Sequence, residues 1–147
     1  MAKLTRSVTI NAPVEAVFDL AKDLGRFWTC WPGVAVREVE LTADGVGSSG
    51  HFYTHFLGIH MEGHVEYTEV VLNERIVAKV TSAGETPTWV FTFAPVEGGT
   101  TLTAEAEWHV NLPAVGKPIE GLMVKGHEGE LEHWLTSIKH QFVAEAA

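Results

Sequence analysis

From Val34 to Leu112 apolar and polar residues alternate at a period of two, the spacing of strands with one buried face, and nothing else limits the folding choices of this chain as much. Turn signals at Asp44-Gly45, Gly58, Asn73, Ala83-Gly84 and Gly98-Gly99 divide the stretch into about six strands. Their connections are too short for crossover helices, so the strands must pair as an antiparallel meander. Such a sheet has an apolar face to cover, and the chain supplies the cover at its end. Pro113 to Phe142 reads as a long helix with Val124, His127, Leu131, Leu135, Ile138 and Phe142 on one stripe. Upstream, Leu4 to Ile10 reads as a first strand, and Asn11-Ala12-Pro13 as a helix cap with a first-turn proline. Helical spacing continues through Val14, Val17, Phe18 and Ala21 until Gly25. A second short helix or a tight turn fits the aromatic knot Phe27-Trp28-Thr29-Cys30-Trp31-Pro32-Gly33 that follows.

No linker, repeat or low-complexity tract interrupts this order, so residues 1–147 read as one α+β domain. A chain of this length buries roughly 70% of the surface its unfolded form exposes, enough for a core and a cavity without metals or disulfides. Cys30 is the only cysteine, which excludes an internal disulfide and a cysteine zinc motif. Ten Lys and Arg against nineteen Asp and Glu give a net charge of −9, which repels nucleic acid and anionic membranes. No apolar run approaches the ~18 residues of a membrane span, and Met1 to Ile10 lacks the apolar centre of a secretion signal. The expected setting is cytoplasmic, and the oligomeric state stays open.

The alternation also sorts the residues by face. His51, Tyr53 and His55 share one side of a strand and Phe52, Thr54 and Phe56 the other; His60, Glu62, His64 and Glu66 then alternate with Ile59, Met61, Gly63, Val65 and Tyr67. A two-residue loop at Gly58 would place four histidines and two glutamates on one face and the aromatic and aliphatic residues on the other; a three-residue loop would break that parity. In one register His55 faces His60 and His51 faces His64 at ~5 Å between Cβ atoms, close enough for two-ligand metal sites, while a register shifted by two removes both pairs. The expectation is a solvated outer face without metal. Later strands agree on an aromatic interior, since Trp89, Phe91 and Phe93 alternate with Val90 and Thr92, and Leu102, Ala106, Trp108 and Val110 with Thr103, Glu105, Glu107 and His109. Large rings beside Gly63, Ala104 and Ala106 can leave space as easily as fill it.

Several segments, in order, carry a resemblance that spans nearly the whole chain. They are Ile10-Asn11-Ala12-Pro13-Val14-Glu15-Ala16-Val17-Phe18, Phe27-Trp28-Thr29-Cys30-Trp31-Pro32-Gly33-Val34, Gly45-Val46-Gly47, Trp89-Val90-Phe91 and Gly98-Gly99-Thr100-Thr101-Leu102. The chain resembles the START-like superfamily, also called SRPBCC or helix-grip, and within it the polyketide cyclase/dehydrase branch. The first segment and Trp31-Pro32-Gly33 also look like a branch named for a carbon monoxide dehydrogenase subunit. The resemblance implies a curved antiparallel sheet of about seven strands gripping a long C-terminal helix, one or two short helices after strand 1, and a deep apolar cavity. It implies no single activity.

Within that frame the expected cavity wall comprises Trp28, Trp31, Phe52, Phe56, Met61 and Tyr67, with Trp89, Phe91, Trp108, Met123 and His127 completing it. The first functional reading is binding or transport of a hydrophobic or aromatic small molecule (lipid, isoprenoid or polyketide-like), with no cofactor. The alternative is a polyketide cyclase/dehydratase in which His127, on the helix stripe between Gly126 and Gly129, moves protons with Tyr67 or Glu130. Against it stands the ordinary reading of His127 as a core residue satisfied by one hydrogen bond. A third reading, a protein-interaction domain using the acidic and histidine-bearing outer surface, predicts an empty interior. Glu130 and His133 form a Glu-x-x-His pair without the second copy a di-iron site requires. Cys30, between two tryptophans, reads as a small hydrophobe rather than a nucleophile.

Overall fold

β1 (Ala2–Ile10) leads into α1 (Val14–Lys22) and α2 (Leu24–Thr29), followed by six strands: β2 (Ala35–Glu40), β3 (Ser49–Phe56), β4 (Ile59–Val71), β5 (Arg75–Ser82), β6 (Thr88–Val96) and β7 (Gly99–Trp108). A helix, α3, occupies residues 128–142. The computed structural model describes residues 2–56, 59–82, 86–108 and 128–142. All neighbouring strands are antiparallel, in the order β1-β7-β6-β5-β4-β3-β2. Consecutive strands pair from β2 to β7, as short connections require, and β1 pairs with the last strand instead of the next. The chain thus leaves the sheet at one edge and rejoins it at the other, with α1 set against β6 and β7 and α2 against β2 and β3. This is the helix-grip α+β architecture that the resemblance implied, with two short helices after the first strand.

The period of two survives into the burial pattern. Ile76, Ala78 and Val80 of β5, Trp89, Phe91 and Phe93 of β6, and Leu102, Ala104 and Ala106 of β7 are buried, while their sequence neighbours are half-buried or exposed. Helix α3 answers with Leu131, Trp134, Leu135, Ile138 and Phe142 on the same interior. The part of the expected helix between Pro113 and His127 lies outside the described residues. One local expectation needs correction: Asn11 does not cap α1. Pro13 itself holds the N-cap position, in extended conformation without a side-chain cap, and its carbonyl accepts from the Ala16 and Val17 N–H groups. Asp23 caps α2, its carboxylate accepting from the Arg26 N–H at 3.5 Å.

The register of the β3–β4 hairpin is the one the parity argument needed. Phe56 pairs with Ile59, leaving two residues between them, and His55 faces His60, Phe52 faces Gly63, and His51 faces His64. Gly63 is buried, and a Cβ there would run into the Thr81 carbonyl oxygen and stand 2.8 Å from the Phe52 ring. The absent side chain is therefore what lets Phe52 lie across the hairpin. Gly63→Ala is expected to cost about 2–3 kcal/mol by overpacking and to lower the melting temperature by about 5–10 °C. Thermal unfolding followed by circular dichroism checks this, and an unchanged midpoint would mean that Phe52 and Thr81 retreat freely.

Candidate functional site

Six aromatic rings meet between the sheet and α3. Phe27 and Trp28 come from α2, Trp31 from the turn after it, Trp89 and Phe91 from alternate positions of β6, and Trp134 from α3. Trp134 is fully buried and stands at the centre, with ring centroids 4.8 Å from Trp31, 5.0 Å from Trp28, 5.0 Å from Phe27, 5.5 Å from Phe91 and 5.6 Å from Trp89. Trp28 meets Trp89 and Phe91 edge-on, each at 5.9 Å, an arrangement that puts positive ring edges on negative ring faces. The small residues of β7 make room for the large ones of β6, because Ala106 pairs with Trp89 and Ala104 with Phe91.

Two indole N–H groups fasten α3 to the α2 region. Trp134 Nε1 donates to the Phe27 carbonyl at 2.9 Å, and Trp31 Nε1 donates to Glu130 Oε2 at 2.9 Å. Arg6 of β1 adds ion pairs to Glu128 at 3.2 Å and Glu132 at 3.4 Å. Those pairs are largely solvated and hold the helix weakly compared with the buried rings.

Tyr67 occupies the inward face as expected. It is fully buried and its hydroxyl donates to the Ala21 carbonyl of α1 at 2.6 Å. Burial pushes the phenol far above its ordinary range and the Asp23 charge adds to this. Trp28 Nε1 approaches the same hydroxyl and partly opposes the shift, yet it stops short of hydrogen-bond geometry and stays buried without a full partner. A phenol that is so deeply protonated and already bonded to backbone is a strut between β4 and α1. Its hydroxyl proton is thus already engaged by the Ala21 carbonyl.

The remaining expected residues sort by position. Trp28, Trp31, Trp89 and Phe91 join the ring cluster, while Phe52 and Met61, on the inward face of the β3–β4 hairpin, are only half-buried. Glu130 is half-buried at the edge of the cluster. His127 and Met123 lie outside the described residues, as do the side chains of Phe56 and Trp108. Trp134 was missed although the signal existed: it stands three residues after Leu131 and four before Ile138, on the flank of the stripe. Cys30 is half-buried rather than buried; its thiol donates to the Arg26 carbonyl, and burial pushes its pKa up with Arg26 opposing.

Comparison with known proteins returns one family and many folds of the same shape. A family model described as polyketide cyclase / dehydrase and lipid transport matches residues 1–142. No curated protein matches the chain. Among solved structures, TTHA0849 from Thermus thermophilus is similar with a TM-score of 0.76 at 19% identity, over 99% of this chain and 100% of the other. A START superfamily protein from Mycobacterium smegmatis has a TM-score of 0.76 at 17% identity, with 95% of each chain covered. Ara h 8.0201 has a TM-score of 0.69 at 11% identity, over 97% of this chain and 98% of the other.

Proposed function

Because the chain belongs to the polyketide cyclase / dehydrase and lipid transport family, we propose that it binds or carries a hydrophobic or aromatic small molecule between the sheet and its C-terminal helix. The observation that carries this reading is the half-buried state of Phe52 and Met61. Large apolar side chains on the inward face of a sheet are normally buried completely, and here two of them keep contact with solvent, Phe52 while packed against the buried core. An apolar ligand laid against them would remove that surface from water at roughly 25 cal/mol per Å². Rigid indole rings lose little side-chain freedom when they hold a ligand, and their faces and edges suit flat or polyunsaturated molecules. Glu130 and the Trp31 N–H, already bonded to each other, offer a polar end against which a ligand oxygen could compete.

The family's name also admits a cyclase or dehydratase, and Glu130 favours that second reading as an ionisable group held at the ring cluster. In it Glu130 and His127 transfer protons to a bound carbonyl compound, and Tyr67 takes no part.

Titration of tag-free protein with the uncharged probe N-phenyl-1-naphthylamine, followed by tryptophan quenching, tests the binding reading. Saturable one-to-one binding, weakened about tenfold or more by Met61→Glu or Trp31→Ala, is expected. Native mass spectrometry with solvent extraction of the freshly purified protein identifies any passenger. No saturable binding, together with variants that behave like the parent, would refute the proposal. Loss of turnover in Glu130→Gln with probe binding retained would move the assignment to the enzyme.

A further inference from the structure

The outer face of the β3–β4 hairpin carries a second cluster that plays no part in the ring-lined interior. His55 and His60 are cross-strand partners, both exposed, with ring centroids 5.2 Å apart. Two imidazoles bound to one tetrahedral ion through ~2.05 Å bonds have their centroids about 3.2 Å from the metal and therefore about 5.2 Å from each other. Glu62 follows His60 by two residues on the same strand and shares its face, and Glu62 Oε2 lies 3.3 Å from His60 Nε2. The donor-to-donor edge of that same tetrahedron is about 3.3 Å. The His55–His60 spacing is thus one that a shared ion allows, while without metal Glu62 hydrogen-bonds His60 directly, in a hairpin whose register the amino-acid sequence left open.

We propose that His55, His60 and Glu62 form a binding site for a divalent transition-metal ion of the imidazole-preferring kind, such as zinc or nickel. In the metal-free arrangement Glu62 also reaches His51 Nε2, at 3.5 Å, and among the described residues no three ligating side chains converge. Assembly needs Glu62 to turn from His51 toward the His55–His60 pair, which its exposed position permits. The other cross-strand pair, His51 with His64, is the poorer site. Arg37 is the β2 partner of His51 and its guanidinium lies over the Tyr53 ring at 5.5 Å, so a cation there meets a fixed positive charge. Beside His55 and His60 the described pairings of β2 and β5 have ended, at Ala35 with Tyr53 and at Gly63 with Ser82. Among the described residues, no lysine or arginine of those strands stands in register with the proposed ligands.

Calorimetric titration of the full, tag-free chain with zinc chloride and with nickel chloride tests the site. One ion per chain is expected, with a Kd in the micromolar range that weakens tenfold or more in His55→Gln and in His60→Gln. His133→Gln and His140→Gln, which alter exposed histidines of α3, should leave the affinity unchanged. Cobalt substitution should give the intense visible absorption of a tetrahedral ion. Binding no tighter than millimolar, binding indifferent to His55→Gln and His60→Gln, or binding that follows His51 and His64 instead would each overturn the proposal.

Discussion

Trp134→Ala is expected to lower the melting temperature by about 10–15 °C, more than the loss of any other ring in the cluster it centres. The side chain is fully buried and touches rings from α2, the following turn and β6, so its removal opens a cavity where three elements meet. Large-to-small changes of an aromatic core residue cost about 3–5 kcal/mol because the surroundings relax only in part. The lost hydrogen bond adds little to that figure, since the Phe27 carbonyl also accepts from the Cys30 N–H and is not orphaned. Trp134→Phe separates the two contributions: it keeps an aromatic ring in place and loses the indole N–H, and it should recover at least half of the loss. Thermal unfolding gives the midpoints of the two variants against the parent, and chemical denaturation gives their free energies. A Trp134→Ala midpoint within about 3 °C of the parent would mean that α3 repacks over the sheet without its central ring.

Alkaline pH is expected to expose the buried phenol. In the unfolded chain a tyrosine ionises near pH 10, whereas the folded environment of Tyr67 holds its proton far beyond that, chiefly through burial. Above pH 10 the unfolded state therefore binds fewer protons than the folded one, and stability falls as pH rises. Tyr67 contributes up to ~1.4 kcal/mol per pH unit to that fall, or about 2–3 kcal/mol between pH 10 and 12. Tyr67→Phe lacks the ionisation but also the bond to the Ala21 carbonyl, so it should be about 1–3 kcal/mol less stable near neutrality. Its disadvantage should then shrink as pH rises from 10 to 12, because only the parent bears the phenol's ionisation cost. Urea unfolding of both proteins at pH 8, 10, 11 and 12 provides the comparison; stability curves that stay parallel would show that the hydroxyl ionises as readily in the folded protein as in the unfolded one.

The sheet was legible because strand geometry imposes a period that burial then reinforces. Trp89, Phe91 and Phe93 face inward for the same reason that their neighbours do not, and no tertiary information is needed to say so. The candidate site was legible in part. Trp28, Trp31, Trp89 and Phe91 were placed in the aromatic interior from parity and from their position in the knot, and all four meet there. Trp134 escaped because a helix stripe is broad, and a residue on its flank is buried or exposed according to how the helix rolls on its partner. The hydrogen-bond partner of Tyr67 was not legible for a related reason. An inward position does not say whether a hydroxyl meets open space or a backbone carbonyl, and it is the Ala21 carbonyl, arriving from a helix 46 residues away in sequence, that decided it.

By itself, then, the order of periods along the chain determined the class of fold, the face of each strand and the aromatic nature of the interior. These follow from short-range geometry and from the exclusion of apolar surface from water. Only the tertiary structure decided the register of the β3–β4 hairpin, the roll of α3 and the partners of each buried polar atom. Each of these depends on contacts between residues far apart in sequence, where a shift of one position along a strand or a third of a turn of a helix leaves the local pattern unchanged and alters which side chains meet.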